Sequence, residues 1–211
     1  MPNRGGYEST FKSDEQFNNK KPLKIGYFAD GIWSHEAFKK LIIDDEISIQ
    51  FICVRFDTKD EILLNFAKQY NIDYLKHENI NSKDFIEKIK KYCCDLFVSM
   101  SFNQIFKSEI INLPPLKTIN CHAGKLPFYR GRNILNWALI NDEKEFGITV
   151  HYIDEGIDTG DIILQNSYCI RDKDNYKTLL ESAYTDCADI LYSAISLFKK
   201  GIPTSTKQKN I

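Results

Sequence analysis

Short apolar segments alternate with amphipathic segments from Leu23 onward, and this alternation constrains the fold more than any other feature of the sequence. The apolar segments contain few polar residues, as expected of strands that are covered on both faces. The amphipathic segments repeat their apolar residues with the period of a helix. Strands are predicted at 23–29, 48–56, 73–75, 95–101 and 118–123, and helices at 35–43, 60–70 and 83–92. This order predicts an α/β fold with an open, mostly parallel sheet and helices on both faces.

The pattern changes in the last third of the chain. Two strands at 146–154 and 161–170 are joined by a short glycine-containing segment, which predicts an antiparallel addition to the sheet. A long amphipathic helix at 175–200 is followed by Gly201, a residue type that commonly ends helices. Three parts are therefore predicted: a flexible N-terminal extension at 1–22, a single domain at 23–200 and a polar C-terminal tail at 201–211.

Charge and composition restrict the classes of partner. The 211 residues include 28 basic and 29 acidic side chains, and this balance predicts no nucleic-acid partner, which would require a clustered basic surface. No run of about 18 apolar residues occurs and the N-terminal residues have no apolar core, so we expect neither a membrane span nor a secretory signal. The six cysteines lack the spacing of a zinc site. We therefore expect a cytoplasmic protein with reduced, mostly buried thiols and no metal.

Two polar residues end the predicted strand at 118–123. Asn120 and His122 lie two positions apart, so strand alternation places them on one face and Cys121 on the other. In a parallel sheet, ligands bind beyond the carboxyl ends of the strands, where this pair lies. An amide and an imidazole pointing at one spot can together stabilise an oxyanion. The alternative is an asparagine that caps the turn and a histidine that is hydrogen-bonded in the core.

The segment Asp154–Asp161 contains four carboxylates in eight residues. Its spacing does not match that of a calcium-binding loop, so metal binding is not the favoured interpretation. One of the acids could face His122 and influence its protonation, as in catalytic histidine–carboxylate pairs. The alternative is a glycine-rich turn whose acids are solvated.

A basic segment, Lys125–Arg132, contains two of the five arginines around one glycine. Arginine forks bind phosphate through paired hydrogen bonds, whereas the alternative is ordinary surface charge. The sequence contains none of the glycine-rich or serine motifs of nucleotide triphosphatases, dinucleotide oxidoreductases or serine hydrolases.

These motifs together resemble a known family. The segments N-C-H-A-G-K-L-P-F-Y-R-G-R (120–132), N-W-A-L-I-N-D-E (136–143) and G-I-T-V-H-Y-I-D-E-G-I-D-T-G-D-I-I (147–163) are similar to those of N10-formyltetrahydrofolate-dependent formyltransferases. The resemblance extends over about 23–200. It implies a Rossmann-like sheet, an N-formyltransferase activity and a catalytic trio formed by Asn120, His122 and Asp158.

The resemblance also implies a folate site that binds N10-formyltetrahydrofolate as co-substrate, without a metal. One of the two family segments that form this folate site matches residues 101–106, in which Ser101 replaces the usual glycine. The second family segment matches the residues that directly precede Asp158. The implied folate-binding residues are Phe102, Asn103, Gln104, Ile105, Asp154, Glu155 and Ile157.

Within the family, the segment R-G-R-N-I-L-N-W looks closest to sugar-nucleotide N-formyltransferases. This implies a nucleotide-linked amino sugar as partner, a role in surface polysaccharide (lipopolysaccharide) biosynthesis and a possible homodimer. The phosphates are then expected to contact Lys125, Tyr129, Arg130 and Arg132. Methionyl-tRNA enzymes of the family carry a basic C-terminal domain that these 211 residues lack, which favours the sugar. Methionyl-tRNA, glycinamide ribonucleotide and a non-catalytic module on the same fold remain the alternatives.

Overall fold

The computed structural model describes residues 21–209, which form a seven-stranded sheet in the order β3-β2-β1-β4-β5-β6-β7. The strands are β1 (Leu23–Ala29), β2 (Ile47–Val54), β3 (Asp73–Lys76), β4 (Leu96–Met100), β5 (Thr118–His122), β6 (Glu145–Tyr152) and β7 (Ile162–Cys169). The first five strands pair in parallel, and β6 and β7 pair antiparallel, as predicted. The predicted flexible extension at 1–22 lies outside the described residues, apart from its last two positions.

Helices cover both faces of the sheet, which confirms the predicted fold class. They are α1 (Gly31–Leu41), α2 (Glu61–Gln69), α3 (Lys83–Lys90), α4 (Ser108–Ile111), α5 (Ile134–Ile140) and α6 (Tyr176–Phe198). Alternate strand residues contribute to two hydrophobic clusters, so that Tyr27 packs with α1, α2 and α6 while Phe28 packs with α3 and α4. The sheet core is therefore buried on both sides, which explains why its strands are almost wholly apolar.

Several details differ from the sequence-based predictions. α1 begins at Gly31, before the predicted start, because its first turn carries little apolar periodicity. α4 and α5 were not predicted, since elements of four and seven residues are too short to show a period. The helical period predicts that Ile62 of α2 and Leu197 of α6 face inward, but these side chains are 48% and 39% exposed. Four of the six cysteines are buried, and Cys93 and Cys169 are exposed.

The strand order creates a crevice at one edge of the sheet. From β1 the chain runs outward through β2 and β3, then returns to place β4 on the other side of β1. The carboxyl ends of β1 and β4 therefore separate at a topological switch point, where α/β proteins bind ligands. The loops after β1, β4 and β5 all follow the carboxyl ends of parallel strands, so they share this edge, and they line one cavity. None of the helices between residues 21 and 209 combines the length and apolar character needed to cross a membrane.

Candidate active site

The candidate site lies where the sheet changes from parallel to antiparallel, between β5 and β6. Asn120 and His122 project from the same face of β5, as strand alternation predicts, whereas the Cys121 thiol contacts the backbone of α6 at Cys187. In the antiparallel register Asn120 lies directly opposite His151 of β6. Directly opposed residues of neighbouring strands contact each other, so this register fixes the position of a second imidazole beside the pair.

His122 is buried and has one close hydrogen bond. Its Nε2–H donates to the carbonyl oxygen of Tyr129 at 2.6 Å, which leaves Nδ1 facing the Asp158 carboxylate at 3.6 Å. Burial lowers the pKa of His122 below its ordinary value, although the negative charge of Asp158 and the hydrogen bond to Tyr129 act in the opposite direction. His122 is therefore neutral near pH 7, with Nδ1 able to accept a proton.

Asp158 lies in the turn between β6 and β7, and its carboxylate faces both imidazoles. Oδ2 accepts a hydrogen bond from the backbone N–H of Gly131 at 2.9 Å, and Oδ1 lies 3.4 Å from Nε2 of His151. Burial raises the pKa of this carboxyl, but His151, the charge of His122 and the Gly131 N–H outweigh that effect and lower it. Asp158 is accordingly a carboxylate when His122 takes up a proton.

His151 is a site residue that the sequence analysis missed. Its Nδ1–H donates to the carbonyl oxygen of Tyr152 at 2.8 Å, and its Nε2 lies 3.4 Å from Nδ2 of Asn120. Its side chain is 2% exposed. Strand alternation could have identified it, because Thr149 and His151 are polar residues two positions apart in the buried part of β6.

Two glycines allow the backbone to pass close to these groups. A Cβ atom at Gly124 would lie 2.2 Å from the Tyr129 carbonyl oxygen and 2.3 Å from Nε2 of His122, so it would block their hydrogen bond. A Cβ atom at Gly160 would lie 1.9 Å from the carbonyl oxygen of Tyr152. Both positions therefore require the absence of a side chain.

The other acids of the turn have different surroundings. Asp154 accepts hydrogen bonds from the backbone N–H of Gly156 and the hydroxyl of Thr159, so it stabilises the turn locally. Glu155 is exposed and does not line the cavity that contains His122. Asp158 alone among the four carboxylates of this turn faces His122. Within residues 21–209, no group of three or more His, Cys, Asp and Glu side chains is arranged to hold a metal ion.

A cavity of about 870 Å³ opens beside the trio. Its volume is in the range of small-molecule and cofactor sites. Six of the seven expected folate-binding residues line it: Phe102, Asn103, Gln104, Ile105, Asp154 and Ile157. The Gln104 side chain is already used by the fold, since its amide bonds the backbone of His77 and Ile80. These contacts hold the Gln104 side chain against the segment that follows β3.

The expected phosphate-binding residues are divided between the cavity and internal contacts. Lys125 is paired with Glu145, and the hydroxyl of Tyr129 donates to Glu143. The Arg130 guanidinium donates to the side chain of Gln208. Arg132 is exposed and lines the cavity. Of the four, Arg132 is the one that the fold places at the mouth of the site.

Comparison with known sequences identifies a family and similar curated proteins. Residues 50–195 match the pattern of the formyl transferase family. The chain is 37% identical over 142 residues to methionyl-tRNA formyltransferase from Thermodesulfovibrio yellowstonii, covering 67% of this chain and 46% of the relative. It is 38% identical over 133 residues to the same enzyme from Syntrophus aciditrophicus, covering 63% and 43%. The chain thus spans less than half the length of these curated relatives.

Comparison with solved structures gives the same fold. Glycinamide ribonucleotide transformylase 1 from Symbiobacterium toebii has a TM-score of 0.76 at 21% identity, over 89% of this chain and 95% of that one. WlaRD, a sugar 3N-formyl transferase solved in the presence of dTDP and 5-N-formyl-THF, has a TM-score of 0.68 at 25% identity, over 90% and 67%. The family pattern covers more than two thirds of the chain, including β5, β6 and the turn that carries Asp158. The chain therefore belongs to the formyl transferase family.

Proposed function

We propose that this chain transfers a formyl group from N10-formyltetrahydrofolate to the primary amine of a nucleotide-linked amino sugar. The observation that carries the proposal is the cluster of Asn120, His122 and Asp158 beside a cavity at the carboxyl edge of the sheet. When bound, the folate supplies the formyl group. The protein's own residues must bind the two substrates, stabilise negative charge on one oxygen and move one proton.

The geometry of His122 suits both proton transfer and stabilisation of the negatively charged oxygen. Its neutral imidazole keeps Nε2–H on the Tyr129 carbonyl, so Nδ1 accepts the proton that the attacking amine loses. The resulting imidazolium is stabilised by the Asp158 carboxylate 3.6 Å away. Its Nδ1–H and the amide N–H of Asn120 then donate to the oxygen that gains negative charge. When the bond between the formyl carbon and the folate nitrogen breaks, the imidazolium gives its proton to that nitrogen and tetrahydrofolate leaves. One such donor typically contributes about 3–4 kcal/mol to the transition state.

The folate side of the cavity fits a flat, partly polar ring. Phe102 packs edge-on against buried Phe28, which fixes the backbone of the loop after β4. Ile105 and Ile157 are 65% and 63% exposed, so they offer apolar surface that a bound ring would cover. Backbone groups of the two loops supply the hydrogen bonds, in keeping with sites where few polar groups set orientation.

Two observations favour an amino sugar as the acceptor. The basic and aromatic segment at 130–137 resembles sugar-nucleotide enzymes, and a sugar 3N-formyl transferase is among the similar folds. The chain also has a net charge of −1, whereas tRNA binding requires many basic contacts to phosphate. Methionyl-tRNA is the second candidate, because the curated relatives, 33–38% identical, act on it by name.

A substrate panel separates these candidates. The chain is incubated with N10-formyltetrahydrofolate and, in separate reactions, with amino sugars linked to dTDP, UDP or GDP, with glycinamide ribonucleotide and with charged initiator tRNA. Mass spectrometry then detects the addition of one formyl group. We expect product from a nucleotide-linked amino sugar. Formylmethionyl-tRNA as the sole product would replace the proposal with the second candidate.

The contribution of Arg132 to phosphate binding has its own test. Arg132→Ala is expected to raise KM for the nucleotide sugar about tenfold while changing KM for the folate by less than about twofold, because a charge-assisted hydrogen bond contributes roughly 1.5–3 kcal/mol. Arg171→Ala is the matched control, since Arg171 is an exposed arginine that does not line the cavity. Equal effects on both KM values would contradict a phosphate contact at this position.

A further inference from the structure

The segment that follows α6 returns to the catalytic turn. Thr206 and Ile162 exchange two backbone hydrogen bonds of 2.8 Å, which add one residue pair to the start of β7. This pairing places Gln208 beneath the turn that carries Asp158. Gln208 is half-buried, whereas Lys207 and Lys209 on either side are exposed. The sequence analysis assigned no role to this polar tail.

The Gln208 amide uses its full set of hydrogen-bonding groups on two loops. Its Nε2 donates to the carbonyl oxygens of Asp158 at 2.8 Å and Gly160 at 2.7 Å. Its Oε1 accepts from Nε and Nη2 of Arg130 at 3.2 and 2.8 Å. An amide has two N–H donors and one carbonyl acceptor, so no group of this side chain is left without a partner. Such complete pairing restricts the side chain to one orientation.

Asp158 needs this support because of its backbone conformation. Its φ of +53° lies in the left-handed region, which residues other than glycine rarely adopt. Residues held there persist only where the surrounding structure fixes them. Gln208 fixes the carbonyls on both sides of Thr159, and the N–H of Gly131 holds the carboxylate. Gly131 directly follows Arg130, so the same two loops are joined twice.

The geometry points to Gln208 as a positioning residue that clamps the Asp158 turn to the Arg130 loop. The clamp sets the distances from the Asp158 carboxylate to His122 and His151, which are 3.6 and 3.4 Å. Arg130 then acts inside the protein, through Gln208, instead of on a substrate phosphate. The inference rests on the proposed function only for its kinetic readout, because its structural consequence is measurable on the free protein.

Two variants of Gln208 test the clamp. Gln208→Leu removes all four hydrogen bonds at similar size. Gln208→Glu keeps the acceptor for Arg130 but replaces the two donors with an oxygen that faces two carbonyls. Lys209→Ala is the control for the segment, since Lys209 is exposed next to Gln208. Gln208→Glu also serves as the second variant if Gln208→Leu does not fold.

The readout that does not depend on catalysis is the titration of His122. The chain has four histidines, so isotope-labelled histidine resonances can be followed individually by NMR from pH 4 to 9. The charge of Asp158 raises the pKa of His122, so displacement of the carboxylate should lower the pKa of His122 relative to the wild type. A residue with only a general stabilising role would leave this value unchanged. We expect the shift in both Gln208 variants and not in Lys209→Ala.

The kinetic readout is the ratio of kcat to KM effects. Misplacement of a catalytic group by about 1 Å lowers turnover up to roughly 100-fold, so we expect kcat to fall about 10- to 100-fold in both variants. KM for both substrates should change by less than about threefold, because Gln208 does not line the cavity. An unchanged His122 titration in both folded variants would overturn the inference. If the wild type formylates no amine but the titration shifts, the inference holds and the proposed function fails.

Discussion

Two buried histidine–aspartate pairs in this protein have opposite properties. Nε2 of His35 lies 2.7 and 2.9 Å from the two carboxylate oxygens of Asp60, whereas Nδ1 of His122 lies 3.6 Å from Asp158. Asp60 also accepts from the backbone N–H groups of Gly31 and Leu63, so it joins the start of α1 to the start of α2. The members of the first pair hydrogen-bond each other closely, whereas the second pair is more widely separated and leaves hydrogen-bonding capacity for a third group.

The position of each pair explains this difference. Neither His35 nor Asp60 lines the large cavity, whereas His122, His151 and Asp158 all do. A buried pair away from any cavity must satisfy its own polar groups, since unsatisfied ones cost about 1–3 kcal/mol each. A pair beside a cavity can keep polar groups without a hydrogen bond in the free protein, because a bound substrate can supply the partner. The wider separation of His122 and Asp158 in the free protein is therefore what distinguishes this proposed catalytic pair from the closely hydrogen-bonded pair of His35 and Asp60.

The largest effect is expected from removing one imidazole of each pair. His122→Ala should lower kcat by about 100- to 1000-fold, since it deletes the proton acceptor and an oxyanion donor, and should leave the fold intact. His35→Ala should leave kcat per folded molecule within about threefold and lower the melting temperature. Steady-state kinetics and thermal unfolding of both variants measure the contrast. A His35→Ala enzyme as inactive as His122→Ala would remove the distinction between the pairs.

Asp158→Asn comes next in size. The amide cannot stabilise an imidazolium, so we expect kcat to fall by about 100-fold while the turn keeps its shape. Asp161→Asn is the matched control at the end of the same turn and should change kcat by less than about twofold. Comparison of kcat for the two variants identifies the catalytic acid. A larger loss of kcat in Asp161→Asn than in Asp158→Asn would identify Asp161 as the catalytic acid instead.

The sequence predicted the strands well, and it also identified three residues that the structure brings together beside one cavity, for physical reasons. Each parallel strand is buried on both faces, so its apolar run is continuous and recognisable. Asn120 and His122 stood out because alternation places two polar side chains on one face at the end of such a run. Asp158 followed from the family resemblance, and its carboxylate does face His122.

The side-chain hydrogen bonds that were not predicted join residues that are distant in the chain. His35 and Asp60 are 25 residues apart, and Gln208 and Arg130 are 78 residues apart. No local period marks such pairs, and each residue alone looks like an ordinary surface polar group. The internal contact of Arg130 therefore could not be predicted, and Arg130 was expected to contact phosphate because of its guanidinium geometry and the family resemblance. The partners of such residues can be identified only when the strand register and the loop conformations are known.

A moderate effect is expected on stability from Asp60→Ala. The substitution removes the N-cap of α2, the bond from the Gly31 N–H and the partner of His35. Loss of an N-cap and of charge-assisted hydrogen bonds together should lower the free energy of unfolding by about 2 kcal/mol. Urea denaturation of the wild type and variant at pH 7 measures the difference. A variant as stable as the wild type would show that solvent replaces these bonds without cost.

The smallest expected effect is the pH dependence of that difference. Burial raises the pKa of Asp60, but the Leu63 N–H, His35 and the Gly31 N–H outweigh it and hold the pKa below its ordinary value. A carboxyl with a lowered pKa in the folded protein stabilises the fold above its unfolded pKa of about 4, and this stabilisation is lost as the pH falls through the folded value. The stability difference between wild type and Asp60→Ala should therefore decrease as the pH falls below about 4. Urea denaturation repeated at several pH values down to pH 3 measures this trend. A difference of the same size at pH 3 would mean that the neutral acid supports α2 and His35 as well as the carboxylate does, and that charge is not what separates this pair from the catalytic one.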